Sequence, residues 1–122
     1  MLLDAPSVPD APSVDHNAIE AAKPLLILGW PNVACLAARA AVESRVVSEI
    51  ERRRLWHRAP ERAKFHQLAR VLERHRVFDH SLKSQLVLLH AYLSRVGHGD
   101  AVPLSEAASL IEQADQALKE EV

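Results

Sequence analysis

The sequence predicts an all-α fold, an antiparallel bundle of four to five helices. Alanine, leucine, arginine and glutamate, all good helix formers, dominate the 122 residues, and only three glycines occur. In most segments between the proline and glycine breaks, apolar residues recur with the period of a helix. No segment combines two-residue alternation with turn signals, so no sheet is expected. The short links between segments make sequential helices antiparallel neighbours.

Residues 1–14 differ from the rest of the chain and are expected to form a flexible, proline-rich arm. The run Asp4–Val8 recurs as Asp10–Val14, and the arm contains three prolines and little bulk. The single helical domain is expected to span 15–122, a length that supports one hydrophobic core.

The first helix is expected to begin at Asp15, a suitable N-cap, and to reach Leu28 with a kink at Pro24. A turn at 29–32 follows, in which Trp30 is expected to anchor the core. Asn32 is expected to cap the second and longest helix, which extends to about Arg54. The residues expected to face inward on it are Val33, Leu36, Ala37, Ala40, Val47 and Ile50.

Two structural side chains are expected to pair on the second helix. Arg39 and Glu43 are four residues apart and therefore share one face.

Three more helices complete the predicted bundle. The third begins at Pro60 and ends near Arg74, the fourth is capped by Ser81, and the fifth begins near Leu104. The expected core positions are Phe65, Leu68, Ala69 and Leu72 on the third helix, Leu82, Leu86, Leu89, Leu93 and Val96 on the fourth, and Leu104, Ala107, Ala108, Ile111, Ala114 and Leu118 on the fifth.

Composition excludes several classes of protein. No apolar run approaches the roughly 20 residues needed to cross a bilayer, so no membrane association is expected. The acidic N-terminus lacks the features of a secretory signal, and the lone Cys35 has no internal disulfide partner, which together favour a cytoplasmic location. The seven histidines show no metal-binding spacing, so neither a metal nor another cofactor is expected.

Charge is distributed unevenly along the chain. Residues 39–76 contain eleven Lys/Arg and five Asp/Glu, whereas both ends are acidic. Such a basic region attracts nucleic acid, although it is also typical of a solvated helix face. The RNA-binding candidates in it are Arg53, Arg54, Trp56 and Arg58, because an indole beside cations can stack on a base. Cation–π packing of Trp56 within the protein is the alternative.

The candidate catalytic residues are Arg95 and His98, at the junction between the fourth and fifth helices. An imidazole can move a proton in the attack of a 2′-hydroxyl on a phosphodiester, and a guanidinium can stabilise the growing charge on the phosphate. The alternative is ordinary helix C-terminal chemistry, because cations complement the helix dipole and Gly97 and Gly99 end the helix.

Two stretches of the chain resemble the HEPN superfamily. The run 29–43, in which a small turn precedes an alanine-rich helix with Arg39 and Glu43, is similar to that superfamily's second-helix signature. The run 94–108 is similar to its histidine-bearing helix–turn–helix, and His98 matches the family histidine.

The resemblance implies a compact helical domain that forms a homodimer, with relatives that act as metal-independent endoribonucleases. In those relatives four to six residues separate the arginine from the histidine, whereas two residues separate Arg95 from His98. The Arg/His motif is therefore degenerate in this chain.

Two classes of function follow. One is a domain that acts on or binds RNA, either a toxin- or defence-type ribonuclease, which can have an antitoxin partner, or a relative without the chemistry. The other is a non-catalytic helical module for dimerisation or for binding a larger protein.

Overall fold

The computed structural model describes residues 14–99 and 101–120, and every regular element in that part of the chain is helical. The five α-helices are α1 (Val14–Ile27), α2 (Pro31–Arg52), α3 (Phe65–Arg74), α4 (His80–Gly97) and α5 (Leu104–Leu118). A single 3-10 turn, Trp56–Arg58, lies between α2 and α3. The predicted all-α bundle is confirmed. Of the predicted N-terminal arm, residues 1–13 lie outside the described residues, and Val14 is the first residue of α1.

Helix α2 is the centre of the bundle, since it contacts each of the other four helices. Its buried face is built largely from small side chains, which let the neighbouring helices approach closely. The fully buried apolar residues of α2 are Ala34, Cys35, Ala38, Ala41, Val42, Val46 and Ile50. Burial raises the pKa of the Cys35 thiol.

The inward face predicted for α2 is largely wrong. Val33, Leu36 and Ala40 are exposed, and only Ile50 of the predicted set is fully buried. The first turns of α2 are apolar nearly all the way round, so the helical period does not single out one face. Close packing against four helices selects the alanine side instead.

The leucine face predicted for α4 is confirmed, because all five of its expected core residues are buried. On α3, Leu68, Ala69 and Leu72 are buried as expected, and Phe65 is half-buried. The prediction for α5 is wrong at Leu104 and Ala108, which are exposed. Both lie in the first turn and a half of that helix. None of the helices in the described part combines the length and the apolar character that crossing a membrane requires.

Three helices begin at other residues than predicted. Trp30 occupies the position before α2 and Pro31 is its first residue, so Asn32 lies inside the helix. The first turn of α3 starts at Phe65, and Pro60 stays in the preceding loop. Asp79, not Ser81, caps α4, because its Oδ1 accepts from the Leu82 N–H at 2.7 Å.

Asp15 is not the residue before the first helix, since α1 already includes Val14. Trp30 is not a core anchor either, because 55% of the residue is exposed.

Helices α1, α2 and α3 end in the same backbone motif. In it, two N–H groups just beyond the helix donate to carbonyls of the last turn. At the end of α2, the Leu55 N–H donates to the Ile50 carbonyl at 2.9 Å and the Arg54 N–H to the Glu51 carbonyl at 3.1 Å. This Schellman motif requires a left-handed residue after the helix. Gly29 fills that position after α1, but arginines fill it after α2 and α3, where φ is 56° at Arg54 and 60° at Arg76. Helix α2 therefore ends at Arg52 instead of Arg54.

Two buried carboxylates join the helices. The Glu49 carboxylate on α2 forms ion pairs with three guanidinium groups, those of Arg52 at 2.5 Å, Arg53 at 3.3 Å and Arg45 at 3.4 Å. Arg45 also donates to the Leu118 and Glu120 carbonyls, at 2.7 and 2.8 Å, and so caps the end of α5.

Asp115 on α5 is the second buried carboxylate, and it accepts from Lys23 of α1 at 3.2 Å. That hydrogen bond is the main reason why the pKa of Lys23 is raised, with a smaller contribution from Glu20.

Candidate functional site

Four polar side chains form a continuous chain across the surface where α2 meets α4. Arg39 Nη1 lies 3.3 Å from His98 Nε2, and Arg39 Nε lies 3.6 Å from Glu43 Oε2. The same carboxylate oxygen lies 2.9 Å from His90 Nε2. We call these four residues, His98, Arg39, Glu43 and His90, the polar relay. It contains the expected Arg39–Glu43 pair.

The relay forms because α2 and α4 run antiparallel and approach closely. Arg39 precedes Glu43 on α2, whereas their partners occur in the opposite order on α4. The two segments approach closely at Gly97, where an added Cβ would lie 2.5 Å from Leu36 Cδ2. Asn32 also donates from its side-chain amide to the Val96 carbonyl, which fixes the last turn of α4 beside the start of α2. His98, the residue after α4, is thereby held within reach of Arg39.

The hydrogen-bonding chemistry fixes the role of each imidazole nitrogen. A guanidinium has only donors, so a hydrogen bond between Arg39 and His98 requires His98 Nε2 as the acceptor. A carboxylate has only acceptors, so His90 Nε2 donates to Glu43. Glu43 contacts the Arg39 guanidinium beside His98.

The two ends of the relay differ in exposure. The His90 ring stacks on Phe65, with centroids 4.0 Å apart and planes 3° from parallel. Its side chain is largely covered, whereas His98 is exposed and Arg39 and Glu43 are partly exposed. A ligand in solvent therefore meets His98 and Arg39 first.

Arg95, the arginine predicted to act with His98, contacts Tyr92 instead. Its guanidinium lies over the Tyr92 ring, 4.8 Å from the centroid. Both side chains line a pocket of about 250 Å³ between α4 and α5, together with Glu106. The structure brings Arg39, not Arg95, into contact with His98. Sequence reasoning paired Arg39 only with Glu43 and missed the role of His90. A usable signal was present, since His90 lies on α4 about two helical turns before His98, the residue that follows this helix.

The predicted RNA-binding residues lie at the other end of α2. Arg53 is engaged by Glu49, and Arg58 ends the 3-10 turn with its side chain exposed. Arg54 and Trp56 line a shallow recess of about 450 Å³, together with Glu51 and His57. We call it the Trp56 recess. In the described part of the chain no ring or guanidinium packs on Trp56, so the cation–π alternative is wrong.

An apolar strip covers the corner between α1 and α2. It consists of exposed Ile27, Leu28, Trp30, Val33 and Leu36. The last three are spaced by three residues and share one face at the start of α2.

Among residues 14–99 and 101–120, no group of three or more His, Cys, Asp or Glu side chains is arranged to hold a metal ion. Comparisons with protein-family models, with curated proteins and with solved structures gave no match to this chain. Its function is therefore inferred from its own residues.

Proposed function

We propose that this chain is a HEPN-like helical domain that binds single-stranded RNA and cleaves it without a metal. The observation that carries the proposal is the polar relay. It places an imidazole, whose Nε2 can accept a proton, against a guanidinium on an accessible surface.

In the proposed reaction, Arg39 turns from His98 to the phosphate as RNA enters. The freed Nε2 lone pair of His98 then accepts the proton of the neighbouring 2′-hydroxyl. The 2′-oxygen forms a bond to phosphorus, the bond from phosphorus to the 5′-oxygen breaks, and that oxygen takes a proton from solvent. Arg39 stabilises the charge on the pentacoordinate phosphorus, while Glu43 and His90 position the guanidinium. The products are a 2′,3′-cyclic phosphate and a free 5′-hydroxyl.

The Trp56 recess supports the binding part of the proposal. Arg39 and Arg52 are thirteen residues apart on α2, so the relay and the recess are separated by about 20 Å. A short single strand can span this distance, with phosphates at the basic residues and a base on the indole.

The assay incubates the purified protein with mixed single-stranded RNA at low salt in EDTA. His98→Ala should abolish cleavage and change the free energy of unfolding by less than about 1 kcal/mol, as expected for an exposed residue. Arg39→Ala should weaken cleavage and binding together. Arg95→Ala should retain cleavage, which separates the two arginines, and His75→Ala is the matched control on α3.

Cleavage products should carry 2′,3′-cyclic phosphate ends. RNA that is bound but left intact would contradict the cleavage, and RNA that is neither bound nor cut would reject the proposal as a whole.

A second candidate function, homodimerisation, is favoured by the apolar strip. None of its five residues is charged, and contiguous exposed apolar surface is typical of protein interfaces. A second copy offers an identical strip, so a two-fold arrangement would bury both.

Light scattering at tens of micromolar protein tests this arrangement. Val33→Glu should give a monomer, whereas Leu88→Glu, which places a charge at an exposed apolar residue on α4, should leave the dimer intact. A wild-type chain that is monomeric near physiological salt would reject the dimer.

A further inference from the structure

The four side chains of the Trp56 recess are free to bind a ligand. In the described part of the chain, the side chains of Glu51, Arg54, Trp56 and His57 make no ion pair, hydrogen bond or ring contact. Nearly half of Trp56 is exposed. The recess is therefore lined by an aromatic ring, a carboxylate and two groups that can carry positive charge. In the described part of the chain, none of these four side chains is engaged by another residue.

Glu51 is unpaired although it lies in a run of arginines. Arg52 and Arg53 both contact the buried Glu49, at 2.5 and 3.3 Å, and neither pairs with Glu51. Its two carboxylate oxygens remain available as acceptors. The buried ion-pair cluster thus affects the chemistry of the surface two residues further along the helix.

The end of α2 builds the recess. Arg54, in the left-handed conformation, reverses the chain, and buried Leu55 anchors the reversed segment against the core. The 3-10 turn then carries Trp56 and His57 back beside Glu51.

We propose that the Trp56 recess binds a guanine base, with the base stacked on Trp56 and its Watson–Crick edge on Glu51. Guanine presents two adjacent donors, the N1–H and the 2-amino group, which match the two oxygens of a carboxylate. Adenine places an acceptor beside its amino group, and cytosine and uracil each offer one donor beside an acceptor. Arg54 supplies a cation, and His57 an N–H donor, for the phosphate of the same nucleotide.

This inference rests on the proposed function in one respect only, because it takes RNA as the source of the base. It can be tested with free nucleotides, without any RNA being bound or cleaved.

The test titrates GMP, AMP, CMP and UMP into the full chain carrying Trp30→Phe, so that the emission reports Trp56 alone. GMP should quench this emission at concentrations about tenfold lower than AMP, the size of a bidentate contact. Glu51→Gln should remove the preference, because an amide cannot accept two hydrogen bonds from guanine in this way. Glu106→Gln, an exposed carboxylate on α5, should keep it. Arg54→Ala should reduce the affinity for GMP towards that for guanosine.

Equal quenching by the four nucleotides, or a preference for GMP that survives Glu51→Gln, would overturn the guanine site. The outcomes separate the two proposals. RNA that is bound and cut without any guanine preference would refute this inference alone, whereas GMP recognition by a chain that does not bind RNA would refute the proposed function alone.

Discussion

Glu49 shows how single residues balance burial against charge in this protein. Burial by itself would raise the pKa of its carboxyl, but the hydrogen bond and charge of Arg52, with Arg53 and Arg45, outweigh burial and hold the pKa below the usual range of glutamate. The carboxylate also fixes Arg45, which caps α5. Two helices, α2 and α5, therefore depend on one ionised group.

We expect Glu49→Gln to lower the free energy of unfolding by about 2 kcal/mol at neutral pH, because it leaves Arg45 without a charged partner. Since the pKa of Glu49 is lower in the folded state, its contribution is complete above the unfolded pKa and is lost as the pH falls through the folded pKa. The difference between wild type and variant should therefore shrink as the pH drops below about 4.3.

Urea unfolding at several pH values measures this difference. Glu51→Gln, an exposed carboxylate two residues away, is the control and should change stability by less than about 0.5 kcal/mol. A difference that is constant from neutral to acid pH would contradict the role assigned to the ionised carboxylate.

Among the elements, α2 shows why the periodicity of apolar residues can fail to predict which face of a helix is buried. The face that contacts the other helices is rich in alanine, while the larger Val33 and Leu36 remain exposed. Hydropathy ranks valine and leucine above alanine, so the pattern favours the wrong face. What selects the alanine face is the close approach of neighbouring helices, which the order of residues in one helix does not contain.

We expect Ala38→Asp to cost several kcal/mol, because it buries an unpaired charge on a face with no exposed surface. Ala40→Asp lies two residues further along the same helix and should stay within about 0.5 kcal/mol, since Ala40 is exposed. Thermal unfolding of the two variants gives the comparison. Equal losses of stability would place Ala40 in the core, as the sequence predicted.

The most predictable element, α4, carries large apolar residues at helical spacing. Every predicted core position there is buried, although Leu88 and Tyr92 on the same helix are exposed. Helix ends were less predictable, because arginine occupies left-handed positions where glycine is the usual signal.

The candidate site was only partly predictable for a similar reason. The exposed junction at His98 and the Arg39–Glu43 pair both follow from local spacing, but the contact between them joins residues 59 positions apart in the chain. Only the antiparallel packing of α2 and α4 brings these residues together.

At the scale of the whole molecule, the basic segment 39–76 divides into paired and unpaired cations. The four arginines from Arg39 to Arg53, three on α2 and one at its C-cap, all contact Glu43 or Glu49. The remaining seven make no ion pair in the described part of the chain: Arg54, Arg58, Arg62, Lys64, Arg70, Arg74 and Arg76. Within this segment, the unpaired positive charge therefore lies in residues 54–76, from the C-terminal end of α2 to just beyond α3.

If this surface contacts RNA phosphates, the affinity should fall steeply with salt, by about 0.7 in the logarithmic slope for each phosphate neutralised. The double variant Arg58→Ala/Arg62→Ala should reduce that slope by about 1.4. Fluorescence anisotropy of labelled single-stranded RNA between about 50 and 200 mM salt measures it. Lys119→Ala, in the acidic C-terminal helix, should leave the slope unchanged. A slope insensitive to both arginines would remove this surface from the interface.

The left-handed arginines after α2 and α3 expose a conflict between folding and ligand recognition. A residue with a Cβ in this conformation costs about 1 kcal/mol relative to glycine, so each arginine destabilises the fold slightly. Arg76→Gly should therefore raise the free energy of unfolding by up to about 1 kcal/mol. Arg54→Gly should raise it by a similar amount, yet weaken the binding of GMP, because it deletes a cation of the Trp56 recess. If the Arg54→Gly variant is more stable but binds GMP more weakly, the backbone strain at Arg54 is linked to ligand binding. If its affinity for GMP is unchanged, that strain has no role in binding GMP.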